Sequence, residues 1–183
     1  MPEESAGYGP IFTLDGVTPK VAPDAFIAPT AAVIGDVVIG SETGIWFHCL
    51  VRGDLQFIHI GARTNIQDGA IIHVDSGGFS TTIGDDVTVG DNAVIHACTL
   101  HNRAFVGISA TVLDGAVIEE GGMLGAGGLL TPGKVIGRNE LWVGTPAKLI
   151  RVMSDVERKK FDRNAVVYRE LARRFRAGLR STT

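Results

Sequence analysis

The stretch LHNRAFVGISATVLDGAVIEEGGMLGAGGLLTPGKVI, residues 100–136, decides the fold. Leu100, Val106, Val112, Ile118, Leu124, Leu130 and Ile136 fall six residues apart without a break, a step that chance does not sustain over this length. The same step runs upstream through Val33, Ile39, Ile45 and Val51, through Ile60, Ile66 and Ile72, and through Ile83, Val89 and Ile95. Small or aliphatic residues recur four places after the aliphatic one, as at Thr43, Cys49, Val87, Ala93 and Ala110, so both positions point into a narrow core. Gly follows the aliphatic residue at Gly40, Gly61, Gly84 and Gly107, which suits a chain that bends sharply after each short strand. Alternation by two or a 3.6-residue stripe fits worse than a three-sided parallel coil with one six-residue unit per side.

Offsets between turns show where residues were inserted. Ile39, Ile45 and Val51 map onto Ile60, Ile66 and Ile72 with a shift of 21, placing extra residues near Asp54 to Phe57. The next shift is 23, which puts a surface loop around Val74 to Ser80, and the one after is 17. Later turns keep to 18.

Outside the coil, 1–20 is read as an N-terminal segment, 21–150 as the β-helix and 151–183 as a helix packed on it, all in one domain. Ser154 with Glu157 makes a capping box. Phe161, Ala165, Tyr168, Ala172, Phe175 and Leu179 form one apolar stripe, while Arg158, Lys159, Lys160, Arg163, Arg169, Arg173, Arg174 and Arg176 read as a solvated opposite side. A net charge of −3 argues against nucleic acid as partner. The start MPEESAGYGP lacks a basic and apolar leader, and no apolar run reaches membrane-spanning length. The expectation is a soluble, cytoplasmic protein. Cys49 and Cys98 are too few for a disulfide framework and read as buried thiols.

With the register fixed, polar residues can be stacked. Arg52, His73 and His96 directly follow the aliphatic residue in three successive turns, and strands about 4.8 Å apart would let the two imidazoles share a metal ion. On another face Asp68 and Asp91 stack two places after the aliphatic residue, and neighbouring carboxylates repel unless a cation lies near. A closed threefold trimer would lay one face against a different face of the next subunit. Arg52 would then meet Asp68 of a neighbour, and the histidines would meet Asp91.

The segments VRGD (51–54), TNIQDGAIIH (64–73), IHACT (95–99) and LWVGTPAKLIR (141–151) resemble the gamma-class carbonic anhydrases and their hexapeptide-repeat relatives. The resemblance implies an all-β left-handed parallel β-helix with a C-terminal α-helix. It also implies a homotrimer, and Zn2+ or another divalent metal such as Fe2+ or Co2+ held across each interface by three histidines. His73 and His96 match two of those ligands. Arg52, Asp54, Gln67 and Asp68 match the polar residues around the site, with Gln67 orienting water or bicarbonate, and Tyr168 resembles a tyrosine brought in by the C-terminal helix.

This sequence departs from the family at the third ligand, where Asp91 stands in place of histidine. His101 imitates the expected spacing but follows Leu100 on the third face, so it reads as a surface turn residue, while His48 and His59 match no ligand position and read as exposed polar residues. Two histidines and a carboxylate still form an acceptable zinc set, although an anionic ligand leaves a bound water less acidic than three imidazoles would. The loop Val74 to Ser80 offers only Asp75 for proton transfer, where some relatives carry glutamates. Three functions stay open. One is a carbonate dehydratase, a lyase interconverting CO2 and bicarbonate, of weak activity. Another is a non-catalytic trimeric scaffold or regulatory binding protein. The third is a hexapeptide acyltransferase, against which VRGD and TNIQD argue.

Overall fold

The six-residue step builds three ladders of stacked aliphatic side chains. In a computed structural model, which describes residues 9–180 and 182, Ile27, Ile45, Ile66, Val89, Val106 and Leu124 stand in parallel register on the first face. Val33, Val51, Ile72, Ile95, Val112 and Leu130 stack on the second, and Ile39, Ile60, Ile83, Leu100, Ile118 and Ile136 on the third. All of these side chains are buried, each contributing about 1.5–3 kcal/mol of hydrophobic stabilisation. The result is a left-handed parallel β-helix of about 7 turns. The opening residues 1–8, on which the expectation of no leader rests, lie outside the described range.

Pairing begins ahead of the regular step, since Ile11–Phe12 and Lys20–Val21 both pair in parallel with Ala32–Ile39. Ala32–Ile39 and Leu50–Ile60 run through the corner between the second and third faces. Their register jumps from Gly35↔Gly53 to Val37↔Ile58, so the insertion at 54–57 bulges outward as its offset indicated. The insertion at 74–80 is a turn closed by the Asp75 amide donating to Phe79 O at 3.3 Å. At the far end Glu140–Gly144 continues the first face, and Ala147–Val152 folds back on it antiparallel.

The glycines after the aliphatic residues have a different cause from the one expected. Gly40 has no positive φ. A Cβ there would stand 2.6 Å from the Gly61 carbonyl carbon, and one on Gly61 would stand 2.6 Å from that of Gly84. Close approach of successive turns excludes a side chain. The left-handed corner positions go mostly to other residues, including Glu42, Arg63, Asp86, Asn92 and Ser109.

The helix α1, Asp155–Gly178, starts at the expected capping box: the Ser154 hydroxyl accepts from the Glu157 amide, and the Ser154 amide donates to the Glu157 carboxylate. It packs across the first turns of the first face. Ala165 and Ala172 are buried, and Trp46 meets the rings of Tyr168 and Phe175 edge-on at 5.3 and 5.2 Å. The basic side is less solvated than its composition suggests. Arg158, read as a surface residue, is only 3% exposed, donates to Arg103 O and pairs with Asp162. It lies one step N-terminal to Phe161 along the apolar stripe, so the helix face that buries Ala165 buries it too. Arg173 pairs with Glu42, and Arg176 donates to the carbonyls of Pro23 and Asp24, pinning the helix to the coil.

Candidate metal centre

Two clusters of polar side chains lie on different faces. On the second face His96 stands directly over His73 in the ladder, and Arg52 precedes them in the same column through the Val51↔Ile72 pairing. His73 Nδ1 and His96 Nε2 face one another at 3.3 Å. The opposite nitrogen of each ring meets a carboxylate: His73 Nε2 lies 3.0 Å from Asp54 Oδ1, and His96 Nδ1 lies 2.5 Å from Asp114 Oδ1. Arg52 pairs with the other oxygen of Asp54. Burial alone would raise the Asp54 pKa, but the hydrogen bond from His73, its own amide and the Arg52 charge outweigh burial and hold it below the usual carboxylate range.

In the neutral rings the nitrogen beside a carboxylate carries the proton, so the two nitrogens that face each other are both lone pairs. Facing lone pairs repel, and a cation between them removes the repulsion. Two nitrogens bound at about 2.05 Å to one tetrahedral zinc stand about 3.3 Å apart. A histidine whose remote N–H is held by a carboxylate is also the usual state of a metal-ligating imidazole. The donor set therefore fits a metal.

The second cluster lies on the first face beside α1. Asp68 and Asp91 follow Ile66 and Val89, which neighbour one another in the first-face ladder. Asp68 Oδ1 accepts from the Phe47 amide at 3.2 Å. Tyr168 reaches this column from the helix, and its pKa is raised by burial first and then by the negative charges of Asp91 and Asp68. Gln67 is 5% exposed and donates to Asn65 Oδ1 at 3.0 Å, while Asn65 donates to Thr88 Oγ1 at 3.0 Å.

The chain thus brings together Arg52, Asp54, His73 and His96 on one face and Asp68, Asp91 and Tyr168 on another, with Gln67 next to Asp68 in sequence and bonded to Asn65. Among the described residues no group of three or more His, Cys, Asp or Glu stands close enough to hold a metal within one chain. His101 is exposed on the third face, His48 is exposed at a positive φ, and His59 is exposed with its ring 4.5 Å from that of Phe57. Asp114 was missed by sequence reasoning. It sits two places after Val112, the offset that Asp68 and Asp91 show from Ile66 and Val89, but on the histidine face. Extending that offset to the histidine face picks out Asp114, but not its oblique contact with His96.

No family model matches the chain. Gamma carbonic anhydrase 2, mitochondrial, from Arabidopsis thaliana is 45% identical over 85% of this chain and 58% of its own length. The chain therefore spans less than two thirds of that relative. A carbonic anhydrase from Geobacillus kaustophilus is 40% identical over 91% of both proteins. Among solved structures, a hexapeptide transferase family protein from Anaplasma phagocytophilum superimposes with a TM-score of 0.85 at 45% identity, covering 89% of this chain and 96% of that one. Among the described residues no helix is long and apolar enough to cross a membrane.

Proposed function

Because the chain belongs to the gamma carbonic anhydrase family of hexapeptide-repeat proteins, we propose that it is a homotrimeric metalloprotein that interconverts CO2 and bicarbonate. His73 and His96 of one protomer and Asp91 of the next would hold Zn2+, or another divalent ion such as Fe2+ or Co2+. The observation that carries this reading is the pair of imidazole nitrogens that face each other at 3.3 Å, with a carboxylate on the far nitrogen of each ring. A trimer is favoured by the aspartate column: Asp68 and Asp91 have no ion-pair partner among the described residues of their own chain, while Arg52 and the two imidazoles stand on a different face. Ile108, which continues the aspartate column one turn on, is 52% exposed, an apolar side chain awaiting cover in line with the polar pairs.

His73, His96 and the neighbour's Asp91 would hold the divalent ion, which when bound would supply a water of lowered pKa as nucleophile. Gln67, its amide held by Asn65, orients that water or the bicarbonate. Arg52 and Asp68 tie neighbouring protomers, Asp54 keeps Arg52 and His73 in place, and Tyr168 closes the aspartate side. Asp91 brings a negative charge that offsets part of the cation's charge, so turnover is slow. Asp75, whose carboxylate is engaged by the Gly77 amide at 2.7 Å, is the acid that the 74–80 loop offers for moving protons.

Stopped-flow hydration on metal-loaded protein tests the reading. Wild type is expected to exceed a His73→Ala/His96→Ala variant. Asp91→His is expected to raise the rate about tenfold or more, the scale of one or two pKa units in the nucleophile's water. A wild-type rate equal to that of the double variant would remove the enzymatic claim. Asp91 itself favours a second reading, a non-catalytic trimeric scaffold or regulatory binding protein, and protein purified without chelator but carrying no metal would support it. An acyltransferase role has the transferase-family fold behind it, and it falls if acetyl-coenzyme A does not bind in calorimetry.

A further inference from the structure

We propose that Asp114 is a positioning residue for this centre: its carboxylate holds His96 as the Nδ1–H tautomer and so turns the Nε2 lone pair toward the metal. The proposal rests on the metal reading above and adds a residue to it.

Asp114 stands at a corner of the coil, two places after Val112. Ile95 pairs with Val112, so His96, directly after Ile95, has Leu113 as its counterpart in the next turn. Asp114 falls one place further, where the chain leaves the face for the corner. From there Oδ1 reaches back to His96 Nδ1 at 2.5 Å. The Asp114 carbonyl accepts from the Gly133 amide at 2.9 Å, so the next turn fixes the backbone that carries it. Its side chain is 37% exposed, and among the described residues its carboxylate has no other ion-pair partner. A half-exposed acid with no other salt bridge is directed at one ring nitrogen. Asp54 does the same for His73 from the preceding turn, at 3.0 Å.

The tautomer matters because a neutral imidazole offers a metal only the nitrogen that lacks a proton. An unrestrained histidine side chain in water favours the Nε2–H form, which would present a proton to the centre in place of a lone pair. A carboxylate on Nδ1 reverses that preference and also makes Nε2 more basic. Asp114 acts through His96 and is given no contact with substrate.

Histidine tautomers of metal-free protein are read by nitrogen-edited NMR at pH about 8, above the ordinary histidine pKa. His96 is expected as Nδ1–H in wild type and as Nε2–H in Asp114→Ala. In Asp114→Asn the amide oxygen still accepts, so the wild-type tautomer is expected to persist. Calorimetric titration with Co2+ is expected to show binding about 10–100-fold weaker in Asp114→Ala, with Asp114→Asn close to wild type. Circular dichroism confirms that each variant is folded. A His96 Nε2–H tautomer in wild type overturns the proposal, as does a folded Asp114→Ala that keeps both the tautomer and the Co2+ affinity. Wild type that binds Co2+ no better than folded Asp114→Ala overturns only the part given to Asp114. Wild type that takes up no Co2+ overturns the metal reading itself, whatever the tautomer.

Discussion

At the scale of single residues, burial separates the groups that can react from those that cannot. Cys49 lies behind the site, its thiol donating to Gln67 O at 3.0 Å, and burial pushes its pKa up to about 12. Burial drives the Cys98 thiol higher still. Thiolate is the reactive form, so folded protein is expected to leave both thiols unmodified by an aromatic disulfide reagent over hours, and to yield two per chain on unfolding. Rapid modification of either in folded protein would contradict their burial. Buried cysteines were legible from sequence because they occupy core positions of the repeat. Arg158 was not: grouping the helix arginines by charge hid that it falls on the apolar stripe three places before Phe161. Asp114 escaped for another reason. Stacking residues at equal offsets finds side chains in one column, and Asp114 reaches His96 obliquely from the neighbouring corner.

Elements are held by local chemistry with separate signatures. The helix start depends on Glu157, whose pKa is lowered to about 2 by the Ser154 amide first and then by Arg151. A carboxylate with a depressed folded pKa contributes stability at pH above its unfolded value, and that contribution is lost as pH falls from about 4.5 toward 2. The denaturant midpoint of wild type is therefore expected to fall over this window by a component that Glu157→Gln lacks. Equal acid limbs for the two proteins would count against the cap. Corners and strand ends carry opposite demands. Ser109 holds a φ of 55°, which an L-residue adopts at a cost of about 1–2 kcal/mol. Ser109→Gly is expected to stabilise by about 0.5–1 kcal/mol in equilibrium unfolding. Gly40→Ala, with its Cβ 2.6 Å from backbone of the next turn, is expected to destabilise by about 1–3 kcal/mol. The ladders were legible because a step of six recurs in every turn. The cause of the glycines was not, because sequence shows that a small residue is present and not whether φ or a neighbouring backbone requires it.

For the whole molecule, the coil works as a ruler that sets the histidine pair and the aspartate pair on two different faces. The histidine pair is backed by Asp54 and Asp114, and the aspartate pair is faced by Tyr168. Their separation within one chain was legible from register, since Val89 and Ile95 are one unit apart and must lie on adjacent sides. Orientation of each imidazole depends on oblique contacts with Asp54 and Asp114, which register alone does not display. The central claim is that the two halves meet between protomers, and mixed trimers test it most directly. A His73→Ala/His96→Ala chain keeps the aspartate half, and an Asp91→Ala chain keeps the histidine half. Cyclic trimers containing both chains have one interface at which the two intact halves meet. After the variants are unfolded together, refolded and dialysed against Co2+, the mixture is expected to hold more tightly bound metal than either variant treated alone. Metal in the mixture no higher than the average of the separate variants, with mixed trimers present by mass spectrometry, would contradict an interfacial site.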